Sequence, residues 1–235
     1  MTMTLRRLCD GVFFNDGAIG EQEISHCGIR LFRFMDRFYL RCPPDELEPD
    51  EVSALCRERA KSTGLITQTN QTVREIFKRL VYVLQPSRFL EIGAGSNPIL
   101  SPADRLIRDT HYVRSDADAG QANGLTEFSL DSGLNYHDDH LDLAAAVFVL
   151  HFRFYEGQIA ELQRCLKTTG AFVANVYSRS NESRETLKRS FLAAGFQLAI
   201  IPDPHNLCRA HEYWIAAKRE DSLARHELVL RSILG

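Results

Sequence analysis

The stretch that decides the fold is Phe89-Leu90-Glu91-Ile92-Gly93-Ala94-Gly95-Ser96-Asn97-Pro98. A short apolar run here ends in an acidic residue, an apolar residue and a Gly-x-Gly pair. Such a run predicts a buried strand that leads into a tight loop, because glycine adopts backbone conformations that other residues avoid and lets a ligand approach the main chain. The rest of the sequence has to indicate which ligand the loop binds.

After this loop, strands and helices alternate along the chain. The predicted strands are Arg88 to Ile92, His111 to Ser115, Glu127 to Leu130, Leu141 to Leu150, Ala171 to Tyr177, Phe196 to Ile201 and His211 to Ala217. The predicted helices are Gly157 to Leu166, Ser183 to Ala194 and Ser222 to Gly235. Strands separated by helices indicate a parallel α/β sheet. The last two strands are joined by a loop too short for a crossover helix, so they must be antiparallel.

Before Gln85-Pro86 the pattern predicts helices. The segment Ile29 to Leu40 places its apolar residues on a 3.6-residue stripe, and further helices are predicted from Pro49 to Lys61 and from about Thr69 to Leu84. We therefore expect three parts: a helical cap or lid over residues 1–85, a ligand-binding domain over residues 86–218, and a C-terminal helix over residues 219–235.

The composition is that of an ordinary soluble protein. The 235 residues are 44% apolar and 25% charged, and the net charge of -3 argues against non-specific binding to nucleic acid. No apolar run approaches the roughly 20 residues that span a bilayer, and Met1 to Asp10 lacks the apolar core of a signal peptide. These features predict a cytoplasmic protein without a membrane partner.

The sequence predicts no metal site. The six cysteines form no Cys-x-x-Cys pair, so small buried thiols are favoured over disulfides or zinc ligands. His137 and His140 flank two aspartates in a spacing that could suit a metal, but their polar surroundings favour a solvated loop.

Two families of α/β sheet begin with such a glycine loop. A dinucleotide-binding fold requires Gly-x-Gly-x-x-Gly, and Pro98 occupies the place of its third glycine. From about Gln85 to Lys218 the chain instead resembles the class I S-adenosylmethionine-dependent methyltransferases, whose first motif corresponds to Leu90-Glu91-Ile92-Gly93-Ala94-Gly95. The resemblance implies a Rossmann-like seven-stranded, mostly parallel sheet with a C-terminal antiparallel hairpin, and S-adenosylmethionine as the cofactor.

The resemblance also implies which residues bind that cofactor. In the family, an acidic residue after the second strand binds the ribose hydroxyls, and one after the third strand accepts from the adenine amino group; Asp116 and Asp131 stand at these places. The expected cofactor-binding residues are Glu91, Gly93, Gly95, Asn97, Asp116, Ala117, Asp131 and Ser132.

Candidate catalytic residues lie where the predicted strands end. His151 follows the central strand, and Tyr177 ends the next strand, where Asn175 should point to the same side. His205 and His211, near the last strand, are further candidates. His151 could act as a base, pack over adenine or satisfy a backbone carbonyl, and either Tyr177 or Asn175 could orient the sulfonium or the substrate or simply pack.

Three functions remain open at this stage. The first is a small-molecule methyltransferase acting on O or N, with secondary metabolism as a candidate setting and a monomer or homodimer as its state. The second is an enzyme in which the cofactor's own amino group closes a four-membered ring, giving azetidine-2-carboxylate and methylthioadenosine. The third is a non-catalytic partner, against which Glu91, Gly93, Gly95 and Asp116 argue.

Overall fold

The computed structural model describes residues 4–17, 20–35, 37–61, 67–117, 124–129 and 133–235. The chain divides into two compact units, Met1–Gly64 and Leu65–Gly235. The sequence placed this boundary near Gln85-Pro86. It lies earlier in the structure because the helix before Pro86 packs on the sheet of the second unit. No helix among the described residues is both long and apolar enough to cross a membrane.

The first unit is a small antiparallel sheet followed by one helix. Its strands, in the spatial order β1-β2-β5-β4-β3, are β1 (Leu5–Arg7), β2 (Val12–Asn15), β3 (Glu23–His26), β4 (Ile29–Phe34) and β5 (Phe38–Leu40). A short 3-10 turn, Pro44–Glu46, precedes helix α1 (Pro49–Lys61). Phe13, Leu31 and Tyr39 form the centre of its apolar core.

The predicted helix from Ile29 to Leu40 is wrong, and with it the purely helical cap. The segment forms β4 and β5 instead, so residues before α1 are a sheet. Cys27 and Gly28 both have positive φ, 51° and 78°, and form the two-residue connection between β3 and β4. Such a turn favours a hairpin, and aromatic residues suit strands. The prediction of α1 from Pro49 to Lys61 is confirmed.

The second unit contains a seven-stranded sheet and four helices among its described residues. Its elements are α2 (Gln68–Leu84), β6 (Arg88–Ile92), a 3-10 turn (Arg105–Arg108), β7 (His111–Asp116), β8 (Leu125–Glu127), β9 (Leu141–Ala146), α3 (Glu156–Cys165), β10 (Leu166–Val176), α4 (Asn181–Ala193), β11 (Gln197–Pro202), β12 (Glu212–Ala217) and α5 (Glu220–Leu234).

The strand order of this sheet is β11-β12-β10-β9-β6-β7-β8. The pairs from β10 to β8 are parallel, whereas β12 is antiparallel to both β10 and β11. This topology confirms the predicted Rossmann-like, mostly parallel sheet with its C-terminal antiparallel hairpin. Three strands differ from the prediction by two residues or more: β9 ends at Ala146 rather than Leu150, β8 begins at Leu125 rather than Glu127, and β10 begins at Leu166 rather than Ala171. The bounds of β7, β11 and β12 each differ by one residue at one or both ends.

Helices cover both faces of the sheet. On one face, α2 and α5 pack through apolar residues such as Phe77 and Leu230. On the other face, α3 and α4 pack through residues such as Leu162 and Phe191. Because both faces are covered, the central strand β9 is almost wholly apolar, as expected for a buried parallel strand.

The carboxyl ends of the parallel strands meet at one edge of the sheet. Ile92 at the end of β6 pairs in register with Ser115 of β7 and with Ala146 of β9, and Ala146 pairs with Ala174 of β10. The loops that follow these strands therefore start close together. In open α/β sheets this edge is where ligands bind.

Candidate functional site

The glycine loop after β6 lies against the end of β7. Gly93 and Gly95 have φ values of 67° and 50°, in the left-handed region that favours glycine. The Gly95 amide donates to Asp116 Oδ2 at 3.1 Å, and the Ala94 amide donates to the Ser115 carbonyl at 3.0 Å. The structure thus brings together three of the residues predicted to bind a cofactor, Gly93, Gly95 and Asp116.

The loop after β9 packs so closely against Gly93 that there is no room for a side chain at this position. A Cβ atom added to Gly93 would lie 2.3 Å from Val149 Cγ2, which is well inside the van der Waals distance. Val149 therefore occupies the space beside the glycine backbone. At Gly95, by contrast, the nearest atom to such a Cβ would be Asp116 Oδ2 at 3.9 Å.

Glu91 supports the loop from inside the protein. Its side chain is buried, and Glu91 Oε2 accepts from the Ile99 amide at 2.9 Å and from the Tyr112 hydroxyl. Arg74 Nη1 lies 3.5 Å from Glu91 Oε1. Burial raises the pKa of Glu91 and that of Tyr112. Glu91 at the start of the glycine loop thus bonds to the amide of Ile99 at its end, and its role towards a cofactor stays a prediction.

The other predicted cofactor-binding residues differ in how they are placed. The Asn97 amide donates to the Ala94 carbonyl at 3.2 Å, which closes a turn, and the residue is half-buried. Ala117 follows β7 and is exposed. Asp131 and Ser132 lie outside the described residues. Within the described ranges, no group of three or more His, Cys, Asp or Glu side chains is placed so that it could hold a metal ion.

The loop after β9 is held by one side chain near the end of β10, that of Asn175, and by one that follows this strand, that of Arg179. Phe148 has a φ of 58°, and its amide donates to Asn175 Oδ1 at 2.7 Å. Arg179 donates through Nη2 to the Phe152 carbonyl at 2.7 Å, and through Nε to the Leu150 carbonyl. Asn175 and Arg179 thus shape the loop at both ends. The sequence names Asn175, together with Tyr177, as a residue that could orient the sulfonium or the substrate, whereas no local pattern indicates Arg179.

The two predicted catalytic residues lie together in an aromatic cluster. The rings of His151 and Tyr177 have centroids 4.8 Å apart, and the Phe148 ring meets Tyr177 edge-on at 5.2 Å. His151 is 0% exposed, whereas Tyr177 is half-buried. A general base must reach the proton that it removes. Of the two, Tyr177 therefore has the position more suited to contact a substrate, and His151 packs beneath it.

The other two candidate histidines have structural contacts. His205 Nε2 lies 2.9 Å from the Leu234 carbonyl, at the end of α5. His211 is buried, with Nδ1 at 2.8 Å from Asp203 Oδ2 and Nε2 at 3.1 Å from Asn175 Nδ2. Asp203 was not found from the sequence, because no local pattern indicates that it meets His211.

Comparison with known proteins gives structural likenesses only. No family model matches the sequence, and no curated protein matches it. A SAM-dependent methyltransferase from Thermotoga maritima is 16% identical with a TM-score of 0.48, over 69% of this chain and 98% of that one.

Two further solved structures are similar to the same degree. The 1,6-didemethyltoxoflavin-N1-methyltransferase of Burkholderia thailandensis, solved with 1,6-didemethyltoxoflavin and S-adenosylhomocysteine, is 15% identical with a TM-score of 0.49, over 85% of this chain and 100% of that one. The precorrin-6y C5,15-methyltransferase of Geobacter metallireducens is 18% identical with a TM-score of 0.46, over 67% and 93% of the two chains. At these identities and TM-scores the likenesses identify neither the activity nor the substrate of this chain.

Proposed function

We propose that this protein binds S-adenosylmethionine and transfers its methyl group to an oxygen or nitrogen atom of a small molecule. The observation that carries the proposal is the pairing of the Gly95 amide with Asp116 Oδ2, beside two glycines in the left-handed region. A carboxylate at this edge can accept from both hydroxyls of a ribose, and the glycines leave the main chain open to a ligand. Pro98, in place of a third glycine, argues against a dinucleotide.

When bound, the cofactor would supply a sulfonium methyl group that is already electrophilic. The chain itself would then mainly align the acceptor with that methyl group. Tyr177, half-buried and flanked by Phe148, offers an aromatic face, and such a face attracts a cation. We assign Tyr177 to orientation of the sulfonium or of the acceptor, and Asp116 to the ribose.

A second candidate is ring closure by the cofactor's own amino group. In that reaction the amino nitrogen attacks the carbon of the cofactor's own amino-acid chain that is bonded to sulfur. The bond between this carbon and sulfur breaks, methylthioadenosine leaves, and the nitrogen loses a proton to solvent. The positions of the histidines favour it, since His151 is buried and His205 and His211 are bound to other groups. A reaction without a protein base would suit such a site.

One assay separates these candidates. The purified protein is incubated with S-adenosylmethionine, with and without an extract of small metabolites, and the products are analysed by mass spectrometry. We expect S-adenosylhomocysteine only when the extract is present. Methylthioadenosine together with azetidine-2-carboxylate, formed without the extract, would establish ring closure instead. If neither product forms and calorimetry detects no binding of S-adenosylhomocysteine, the protein is a non-catalytic partner.

The substitution Asp116→Ala tests the ribose site. We expect it to weaken the affinity for S-adenosylhomocysteine by about 1–3 kcal/mol, because charge-assisted hydrogen bonds to the ribose are lost. Calorimetry measures the change. Glu127→Ala is the matched control: Glu127 is the exposed register partner of Asp116 on β8, and its loss should leave affinity unchanged. Equal affinities of Asp116→Ala and the unaltered chain would place the ribose elsewhere.

The wider setting of this activity is also proposed. A lid role for the N-terminal part, a place in secondary metabolism, a cytoplasmic location, a state as monomer or homodimer and the absence of a nucleic-acid partner stay predictions. The net charge of -3 supports the last of these.

A further inference from the structure

Three buried polar side chains connect the C-terminal hairpin with the loop after β9. Asp203 follows β11, His211 precedes β12, and Asn175 lies on β10. The side chains of His211 and Asp203 are 0% and 1% exposed, and Asn175 is equally buried. Asp203 Oδ2 lies 2.8 Å from His211 Nδ1, His211 Nε2 lies 3.1 Å from Asn175 Nδ2, and Asn175 Oδ1 accepts from the Phe148 amide at 2.7 Å.

The Phe148 amide, at one end of this chain of hydrogen bonds, determines which side-chain atoms carry the hydrogens. Asn175 must turn its oxygen towards the Phe148 amide, which can only donate, so its NH₂ group faces His211 Nε2. His211 Nε2 therefore accepts, and Nδ1 carries the hydrogen that it donates to Asp203. His211 is thus neutral, in one defined tautomer.

The charges around His211 agree with this assignment. Burial lowers the pKa of His211, which favours the neutral ring. Burial tends to raise the pKa of Asp203, but hydrogen bonds from His211 and from the Leu207 and His205 amides outweigh it and lower that pKa. Asp203 thus remains a carboxylate that can accept from the ring.

Phe148 needs such a support because its backbone is strained. Phe148 has a φ of 58°, in the left-handed region, where a residue other than glycine is strained and persists only where its surroundings hold it. The position of Phe148 decides two further contacts: its own ring meets Tyr177, and the next residue, Val149, packs beside Gly93. The hydrogen bond that holds Phe148 therefore affects the position of both the glycine loop and the aromatic cluster.

We propose that Asn175, His211 and Asp203 are positioning residues, which hold the loop after β9 in the conformation that the cofactor and acceptor require. The inference rests on the proposed function for what is bound there. These three side chains act on the loop through one amide, that of Phe148, whereas Arg179 holds the other end. The hairpin at the end of the chain thereby acts on the site without contacting a ligand.

Hydrogen exchange at the Phe148 amide tests the inference directly. In Asn175→Leu no side-chain oxygen can accept from this amide, so we expect its exchange, measured by NMR, to become about tenfold faster, as for one lost buried hydrogen bond. Asn175→Asp keeps the acceptor oxygen and should keep exchange slow. Its second oxygen would face His211 Nε2, so the ring nitrogen shifts should move to those of the protonated form.

Val173→Ala is the matched control, since Val173 is buried on the same strand but belongs to the apolar core. It should leave exchange at the Phe148 amide unchanged relative to its neighbours. Equal acceleration in the Val173 and Asn175→Leu variants would overturn the inference. So would ring nitrogen shifts of the unaltered protein that show the hydrogen on Nε2, a measurement that requires no variant.

Binding of S-adenosylhomocysteine, measured by calorimetry, separates this inference from the proposed function. We expect Asn175→Leu to bind about tenfold more weakly, and Asn175→Asp and Val173→Ala to bind as the unaltered protein does. If the unaltered protein does not bind the probe, the proposed function fails, while the exchange data still decide whether the three side chains hold the loop. If Asn175→Leu binds normally, the three residues do not position the site.

Discussion

Gly93→Ala is expected to lower the affinity for S-adenosylhomocysteine by about a hundredfold. An alanine with a φ of 67° is strained by about 1–2 kcal/mol, and overpacking a well-filled site costs about 1–3 kcal/mol more. The added methyl group would meet Val149 Cγ2 at 2.3 Å, and a β-branched side chain has little freedom to turn away. The glycine loop or the loop after β9 must therefore move. Calorimetry gives the affinity, and urea unfolding gives the loss of stability.

Gly95→Ala is the comparison that isolates the steric part of this effect. Its φ of 50° carries a similar strain, but its Cβ would lie 3.9 Å from the nearest atom, Asp116 Oδ2. We expect a smaller loss of both affinity and stability. Gly157→Ala, in α3 with open space around it, should stabilise the protein by about 0.5–1 kcal/mol. Equal losses at Gly93 and Gly95 would show that Val149 does not restrict the loop.

The sheet of the second unit could be predicted because apolar strand segments alternate regularly with helical segments along this part of the sequence. The predicted bounds of β6 agree with the structure, and the antiparallel hairpin follows from the short loop between the last two strands. The first unit could not be predicted in the same way. From Ile29 to Leu40 the apolar residues fit a helical stripe, yet the turn at Cys27-Gly28 and pairing with β3 form strands there. Tertiary pairing outweighed local pattern.

In the candidate site, too, the contacts made by motif residues could be predicted, whereas contacts between residues far apart in the sequence could not. Gly93, Gly95 and Asp116 follow predicted strands, so their meeting could be inferred from the topology of the sheet. The contact of Asn175 with His211 joins residues 36 positions apart, and neither lies in a motif. Glu91 belonged to a motif, but the sequence did not reveal that its carboxylate is buried.

Glu91→Leu is expected to lower the free energy of unfolding by about 3–5 kcal/mol, the range observed when one partner of a buried ion pair is removed. The substitution takes away the acceptor of the Ile99 amide and of the Tyr112 hydroxyl, and it places an apolar side chain against Arg74. Urea unfolding measures the loss, provided that the slope of the free energy of unfolding against urea concentration is the same in the variant and the unaltered protein. Because the glycine loop is held by the bond between Glu91 and the Ile99 amide, the affinity for S-adenosylhomocysteine should fall as well.

Glu91→Gln distinguishes a supporting role from direct contact with a ligand. The amide oxygen of glutamine can still accept from the Ile99 amide, so we expect most of the stability to be retained, together with most of the affinity. Glu127→Gln, exposed on β8, should change stability by no more than about 0.5 kcal/mol and serves as the control. A Glu91→Gln variant that is fully stable but no longer binds S-adenosylhomocysteine would contradict this account, because a supporting residue acts on binding only through the loop that it holds.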